Sequence, residues 1–204
     1  MAAQRRLAAT LRTRTAFHMP HAPTPISRIG AASDASGDDI LVDMFSRIRA
    51  KRGHVLNIHQ VVGHSPKMLR AQAAYAQAMR EESVLPRDLQ ELMILRVAQV
   101  NDSDYEQTVH RPIARACGIT AEKIAALADW RKATVYDARE RAALAYVDQA
   151  AVSGEVDDAV FAAVGAQFST REIVELTVLV GWYVGNSRFV RALRIAPEPE
   201  SGNP

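Results

Sequence analysis

Residues 86–118 read PRDLQELMILRVAQVNDSDYEQTVHRPIARACG, and this stretch decides the fold class. Pro86 opens a helix whose Leu89, Leu92, Met93 and Val97 recur at the spacing of one helical face. The pattern breaks at Asn101-Asp102, and a second helix is predicted from Ser103 towards Cys117, closed by Gly118. Pro112 lies inside that second helix. It removes a backbone donor, at about 3 kcal/mol in a regular interior, so a kink or restart is predicted just after His110.

The same grammar extends in both directions. Upstream, Ile40, Leu41, Met44, Phe45 and Ile48 share a face between Ser36 and Lys51, with Gly53 at the stop. Ser65-Pro66 then marks an N-cap and first-turn proline for a helix bearing Leu69, Ala73, Ala76 and Met79. Downstream, Thr120 caps a short segment, and Asp137 with Glu140 makes a capping box for a helix that Gly154 ends. Asp157 starts a short helix with Val160, Phe161 and Val164. Ser169 with Glu172 boxes the final long helix, which carries Ile173, Leu176, Leu179, Val180 and Tyr183. No segment alternates as a strand would, so an all-α bundle is expected. Arg87 to Leu95 is echoed by Arg171 to Leu179, which superimposes Glu91 on Glu175, Ser103 on Ser187 and His110 on Arg194. The echo predicts a pseudo-duplicated helical unit with a cleft between its halves.

Composition sets the limits on function. A chain of 204 residues, 48% hydrophobic and 24% charged, is long enough for one sizeable core. The formal charge of +2 misleads, because Arg5, Arg6, Arg12, Arg14 and Arg28 precede the first acid; the rest holds 20 basic against 23 acidic residues. That balance carries no footprint for nucleic acid. Charged residues interrupt every helical stretch, so no membrane span is expected. Residues 1–34 read as a disordered or mis-called head, with Met19 as an alternative start, 35–196 as the helical domain and 197–204 as a flexible tail. Cys117 is the single cysteine, which rules out an internal disulfide and makes the cytoplasm the default location. His54, His59 and His64 stand five apart, matching no helical ligand pair, and no metal or other cofactor is expected.

One constellation carries chemistry. Ser103, Glu106 and His110 lie at i, i+3 and i+7, on one helix face. Glu91, arriving from the preceding antiparallel helix, can reach His110, fix its tautomer and raise the basicity of its free nitrogen. These four are the candidate catalytic residues. Plainer roles stand beside them: Ser103 as N-cap with Glu106 as its box partner, Glu91 as an ordinary helix carboxylate, and Trp182, Tyr183 and Asn186 as core or subunit contact rather than pocket wall.

The blocks ELMILRVA, then Ser103-Asp-Tyr-Glu-Gln-Thr-Val-His110, then RPIARACG resemble the core of carboxymuconolactone decarboxylase and alkylhydroperoxidase AhpD-like proteins, over roughly Asp38 to the end of the final helix. The resemblance implies an AhpD-like helical bundle, a homo-oligomer, a small-molecule substrate and a role in aromatic catabolism. In the peroxidase branch the pattern is a glutamate, then Cys-x-x-Cys-x-x-x-His. Glu91 and His110 match, whereas Ser103 and Glu106 stand at the two cysteine positions. Neither residue can attack a peroxide or resolve a sulfenic acid, so thiol peroxidase activity is disfavoured. The decarboxylase branch implies a lyase acting on a small carboxylated lactone or oxo-acid. His110 would protonate the enolate while Ser103 and Tyr105 donate to the oxyanion. Arg188 is the candidate cation for the substrate carboxylate, with Arg96 and Arg111 as alternatives, and Trp182, Tyr183 and Asn186 complete the expected binding residues.

Overall fold

A computed structural model describes residues 25–198. Its α-helices are α1 (Asp39–Arg52), α2 (Asn57–Val62), α3 (Pro66–Glu81), α4 (Arg87–Val100), α5 (Asp104–Ala116), α6 (Ala121–Ala126), α7 (Ala138–Ala150), α8 (Asp158–Gly165) and α9 (Thr170–Leu193). Among the described residues there is no strand, and no helix is long and apolar enough to cross a membrane.

Local chemistry fixes most helix ends. Both predicted capping boxes form, Asp137 with Glu140 and Ser169 with Glu172, and Thr120 accepts from the Lys123 amide. Ser103 caps α5 by accepting the Glu106 amide at 3.5 Å, but its own N–H goes to the Ala98 carbonyl. The reciprocal half of that box is absent, which leaves the Glu106 carboxyl free for another use. Between α4 and α5 the chain turns through Asp102 at φ 49. A short polar side chain tolerates that left-handed conformation better than most. The turn makes α4 and α5 an antiparallel hairpin.

The restart predicted at Pro112 does not occur: α5 runs from Asp104 through Ala116. Pro112 is exposed, so the helix loses its missing bond on the side where water can satisfy the freed carbonyl. The internal echo also stops short. Both copies place an arginine against a glutamate one turn on, Arg87 with Glu91 and Arg171 with Glu175. The second copy does not turn, however; α9 continues straight through Asn186 and Ser187, and Arg194 falls beyond its end.

Two apolar clusters form the core. The larger gathers α4, α7, α8 and α9 around Met93, Val97, Leu144 and Leu176; the smaller joins α1, α2 and Leu69 of α3 to Tyr105 and Val190. Each fully buried aliphatic side chain of this kind contributes roughly 1.5–3 kcal/mol. The head expected over 1–34 lies partly outside the described residues, but its last ten are held in place. Arg28 donates its amide to Leu193, Ala32 donates to Gln60, and Ser27 is buried. The tail expected from 197 is likewise engaged at Glu198, whose carboxylate accepts from the Asn57 amide at 2.5 Å and from the Tyr105 hydroxyl at 3.1 Å. Residues 1–24, with Met19, and 199–204 lie outside the described residues.

Gly63, after α2, is the tightest point of the smaller cluster: a Cβ there would stand 2.9 Å from Phe45 and 3.0 Å from Leu41. Gly63→Ala is expected to cost about 1–3 kcal/mol in urea unfolding, since neither neighbour can withdraw from a filled core. An unchanged unfolding midpoint would contradict this packing.

Candidate active site

A cavity of about 310 Å³ lies where the two apolar clusters meet, walled by α1, α2, α3, α5 and α9. His110, Glu106, Tyr105, Trp182, Tyr183 and Asn186 all border it. Six of the nine sequence-predicted site residues thus converge on one space.

The α4–α5 hairpin brings Glu91, fully buried, to His110. Its Oε2 lies 2.8 Å from Nδ1, and its Oε1 meets the guanidinium of Arg87 one turn earlier on α4. A carboxylate held against a guanidinium makes Nδ1 the donor, so the other nitrogen, Nε2, is the one turned towards chemistry. Glu106 stands at that nitrogen, its Oε2 3.5 Å away, while its Oε1 is buried without a hydrogen-bond partner. Burial pushes the Glu106 carboxyl above its usual range, with Glu198 and Glu91 adding to the effect and His110 opposing it. The imidazole therefore sits between two carboxyl groups of different character, one paired with arginine and one driven towards its neutral form. Such a split is how two acids acquire opposite roles.

Tyr183 meets His110 edge-on, ring centroids 5.1 Å apart, and burial raises its hydroxyl so that it stays protonated. Tyr105 differs. Its hydroxyl donates to Glu198 and accepts from the Ile58 amide at 3.2 Å, so it has no proton left for a substrate oxyanion. Tyr105 contributes its ring to the wall, which it shares with Tyr183.

Three further expectations are corrected. Ser103 is wholly buried as the α5 N-cap and does not border the cavity, because a capping side chain turns back towards its own helix. Arg188 is exposed on α9, away from the cavity. The alternatives are spent elsewhere: Arg96 holds Asp148 at 2.6 Å, and Arg111 holds Gln107 at 2.9 Å. The cations that do border the cavity, Arg52, Arg80 and Arg87 among them, come mostly from α1 and α3, which carry no sequence motif. His59 of α2 is also there; burial, then Arg52 and Arg80, bring its pKa down to about 4. Cys117 is a free, half-buried thiol at the end of α5 that does not border the cavity. Among the described residues, no group of three or more His, Cys, Asp or Glu side chains is placed to hold a metal ion.

Known proteins share this fold. Residues 66–149 match the model of the carboxymuconolactone decarboxylase family. The Escherichia coli (strain K12) protein YnjA, itself uncharacterized, is 31% identical over 118 residues, covering 57% of this chain and 64% of its own length. An uncharacterized peroxidase-related protein from Ralstonia eutropha JMP134, described as an alkylhydroperoxidase AhpD core, superimposes with a TM-score of 0.77 at 22% identity. That match covers 87% of this chain and 95% of that one. The debrominase Bmp8, a cysteine-to-alanine variant in complex with 2,3,4-tribromopyrrole, gives 0.72 at 18% identity, covering 82% and 90%. At such identities both structures share the fold alone.

Two titrations follow from burial. Glu106 gains a proton relative to the unfolded chain, so its stabilising share is complete below about pH 4.5 and is lost as pH rises through its raised pKa. Glu106→Gln, which cannot ionise, should therefore raise the melting temperature more at about pH 8 than at about pH 5. His59 behaves oppositely, and stability should fall as pH drops from 6.5 towards 4, by up to ~1.4 kcal/mol per pH unit. Melting curves of the native protein, Glu106→Gln and His59→Gln across this range check both signs.

Proposed function

We propose that this chain, whose residues 66–149 match the carboxymuconolactone decarboxylase family, is a lyase that decarboxylates a small carboxylated lactone or oxo-acid by acid/base chemistry at Glu91, His110 and Glu106. The observation that carries the reading is the imidazole held between an arginine-paired carboxylate and a carboxyl that burial drives towards neutrality, at the wall of a cavity of about 310 Å³.

In this reaction the bond between the substrate carbon and its carboxylate breaks, carbon dioxide leaves, and the electron pair remains as an enolate or dienolate. Tyr183, which borders the cavity, donates its hydroxyl hydrogen bond to the developing oxyanion. The Glu106–His110 pair delivers one proton to the carbanionic carbon and regains it from solvent afterwards. Glu91, fixed by Arg87, holds the ring so that Nε2 faces the substrate throughout. A thiol peroxidase would instead need cysteines where Ser103 and Glu106 stand.

Carbon dioxide release and mass change across a panel of carboxylated lactones and β-keto acids test the reading. His110→Ala should lower kcat/KM by about 10²-fold or more and Glu91→Gln by a smaller factor, with the fold retained by circular dichroism. Turnover untouched by both substitutions would sink the assignment. So would the absence of turnover across the panel.

A further inference from the structure

Glu106 has a proton to deliver, and the groups that bear on its carboxyl reach beyond the α4–α5 hairpin. Its Oε1 is buried without a hydrogen-bond partner, and His110 meets its Oε2 at 3.5 Å. Around it stand His110 and Tyr105 on its own helix, Glu91 with Arg87 on α4, Tyr183 on α9 and His59 on α2. Lys51 and Arg52 of α1 and Arg70 and Arg80 of α3 border the same space. One further charge comes from outside any helix, at Glu198.

Residues 194–198, which follow α9, form a strap that carries Glu198 to this place. The chain turns at Arg194, with φ 50, and Ile195 is buried in the smaller apolar cluster. Ala196 donates its amide to the Ile26 carbonyl at 2.8 Å, and its own carbonyl accepts from the Asn57 side chain at 2.9 Å. Pro197 fixes its own φ and restricts Ala196 to extended geometry, so Glu198 follows with little freedom. Its Oε1 accepts from both the Asn57 amide and the Tyr105 hydroxyl. Asn57 is the first residue of α2, and Tyr105 precedes Glu106 on α5. Both donors are neutral groups, so neither cancels the charge they hold.

We propose that Glu198 is a positioning residue of the acid/base site: the strap sets its carboxylate between the first turns of α2 and α5, where it anchors the cavity wall at Tyr105 and presents a fixed negative charge to Glu106. The consequence for catalysis rests on the decarboxylase reading, whereas the clamp itself does not. A like charge nearby disfavours ionisation, and Glu106, with no donor on its Oε1, is the carboxyl that yields. Burial is the main cause that pushes Glu106 up, His110 opposes it, and Glu198 comes before Glu91 among the charges that add to it. Glu106 therefore holds its proton more firmly with the strap docked than without it. The acid of the site is completed by a residue from beyond α9.

NMR titration of the full chain, labelled with carbon-13, reads the Glu106 side chain directly, its signal being the one lost in Glu106→Gln. Glu198→Gln keeps an acceptor oxygen and removes the charge, so Glu106 should titrate at lower pH than in the native protein while the Asn57 amide stays protected from hydrogen exchange. Glu198→Ala removes both charge and acceptor, and the Asn57 amide should then exchange roughly two- to tenfold faster. A Glu106 titration unmoved by Glu198→Gln would overturn the proposal, as would unchanged Asn57 exchange in Glu198→Ala. Neither measurement needs turnover, so a failed decarboxylase assay leaves both standing. Where decarboxylation is observed, the activity lost as pH rises reports Glu106 giving up its proton, and that loss should set in at lower pH in Glu198→Gln. Turnover whose pH profile is the same in both proteins would overturn the role of Glu198 alone.

Discussion

The architecture turns on one buried charge. Glu91 has no access to solvent, and a carboxylate in that position is tenable only when both oxygens find partners. Arg87 supplies one from a turn away on the same helix, and His110 supplies the other from across the hairpin. The first partner comes with the helix itself. The second exists only if α5 returns antiparallel to α4 in the right register, so the turn at Asp102, the Ser103 cap and the unbroken run through Pro112 all converge on placing one imidazole. Removing Arg87 would leave the buried carboxylate without its counter-charge, and removing His110 would leave one of its oxygens without a donor, which couples the packing of the hairpin to the chemistry of the site.

That coupling explains how one small cavity holds groups of such different character. Glu91 keeps its ion-pair partners and sits behind the imidazole, while Glu106, a few ångströms away on the other ring nitrogen, lacks any arginine and is driven towards neutrality by burial. On the facing helices the residues that border the cavity are cations, Lys51 and Arg52 on α1 and Arg70 and Arg80 on α3, and His59 is kept neutral by burial and then by Arg52 and Arg80. The cavity is therefore polarised from one end to the other, with proton transfer at the α5 end and positive potential at the α1–α3 end.

Much of this was legible in the sequence, for physical reasons. Capping boxes and helix stops are local chemistry, and the residues that make them sit within four positions of one another, so Asp137, Ser169 and Thr120 announce themselves. Glu91 and His110 were legible because a single tight turn separates their helices. Arg80 and His59 were not, because their proximity depends on how α2 and α3 close over α5, which no short-range pattern encodes. The search for a cation near the motif accordingly favoured Arg188, Arg96 and Arg111, which are exposed or bound elsewhere. Tyr105 shows the opposite failure. Its position was read well, but its hydroxyl is occupied by Glu198, a residue 93 positions further along.

The bonds from Glu198 to Tyr105 and to the Asn57 amide tie three segments far apart in the chain at one wall of the cavity. During synthesis, α2 and α5 leave the ribosome long before residue 198 does, so that wall is finished only once residue 198 has emerged. Until then the Tyr105 hydroxyl has lost its acceptor and the first turn of α2 its carboxylate, and a nascent chain can carry a complete Glu91–His110 pair beside an unfinished pocket. One wall of the cavity is thus completed by a segment made after both halves of the Glu91–His110 pair.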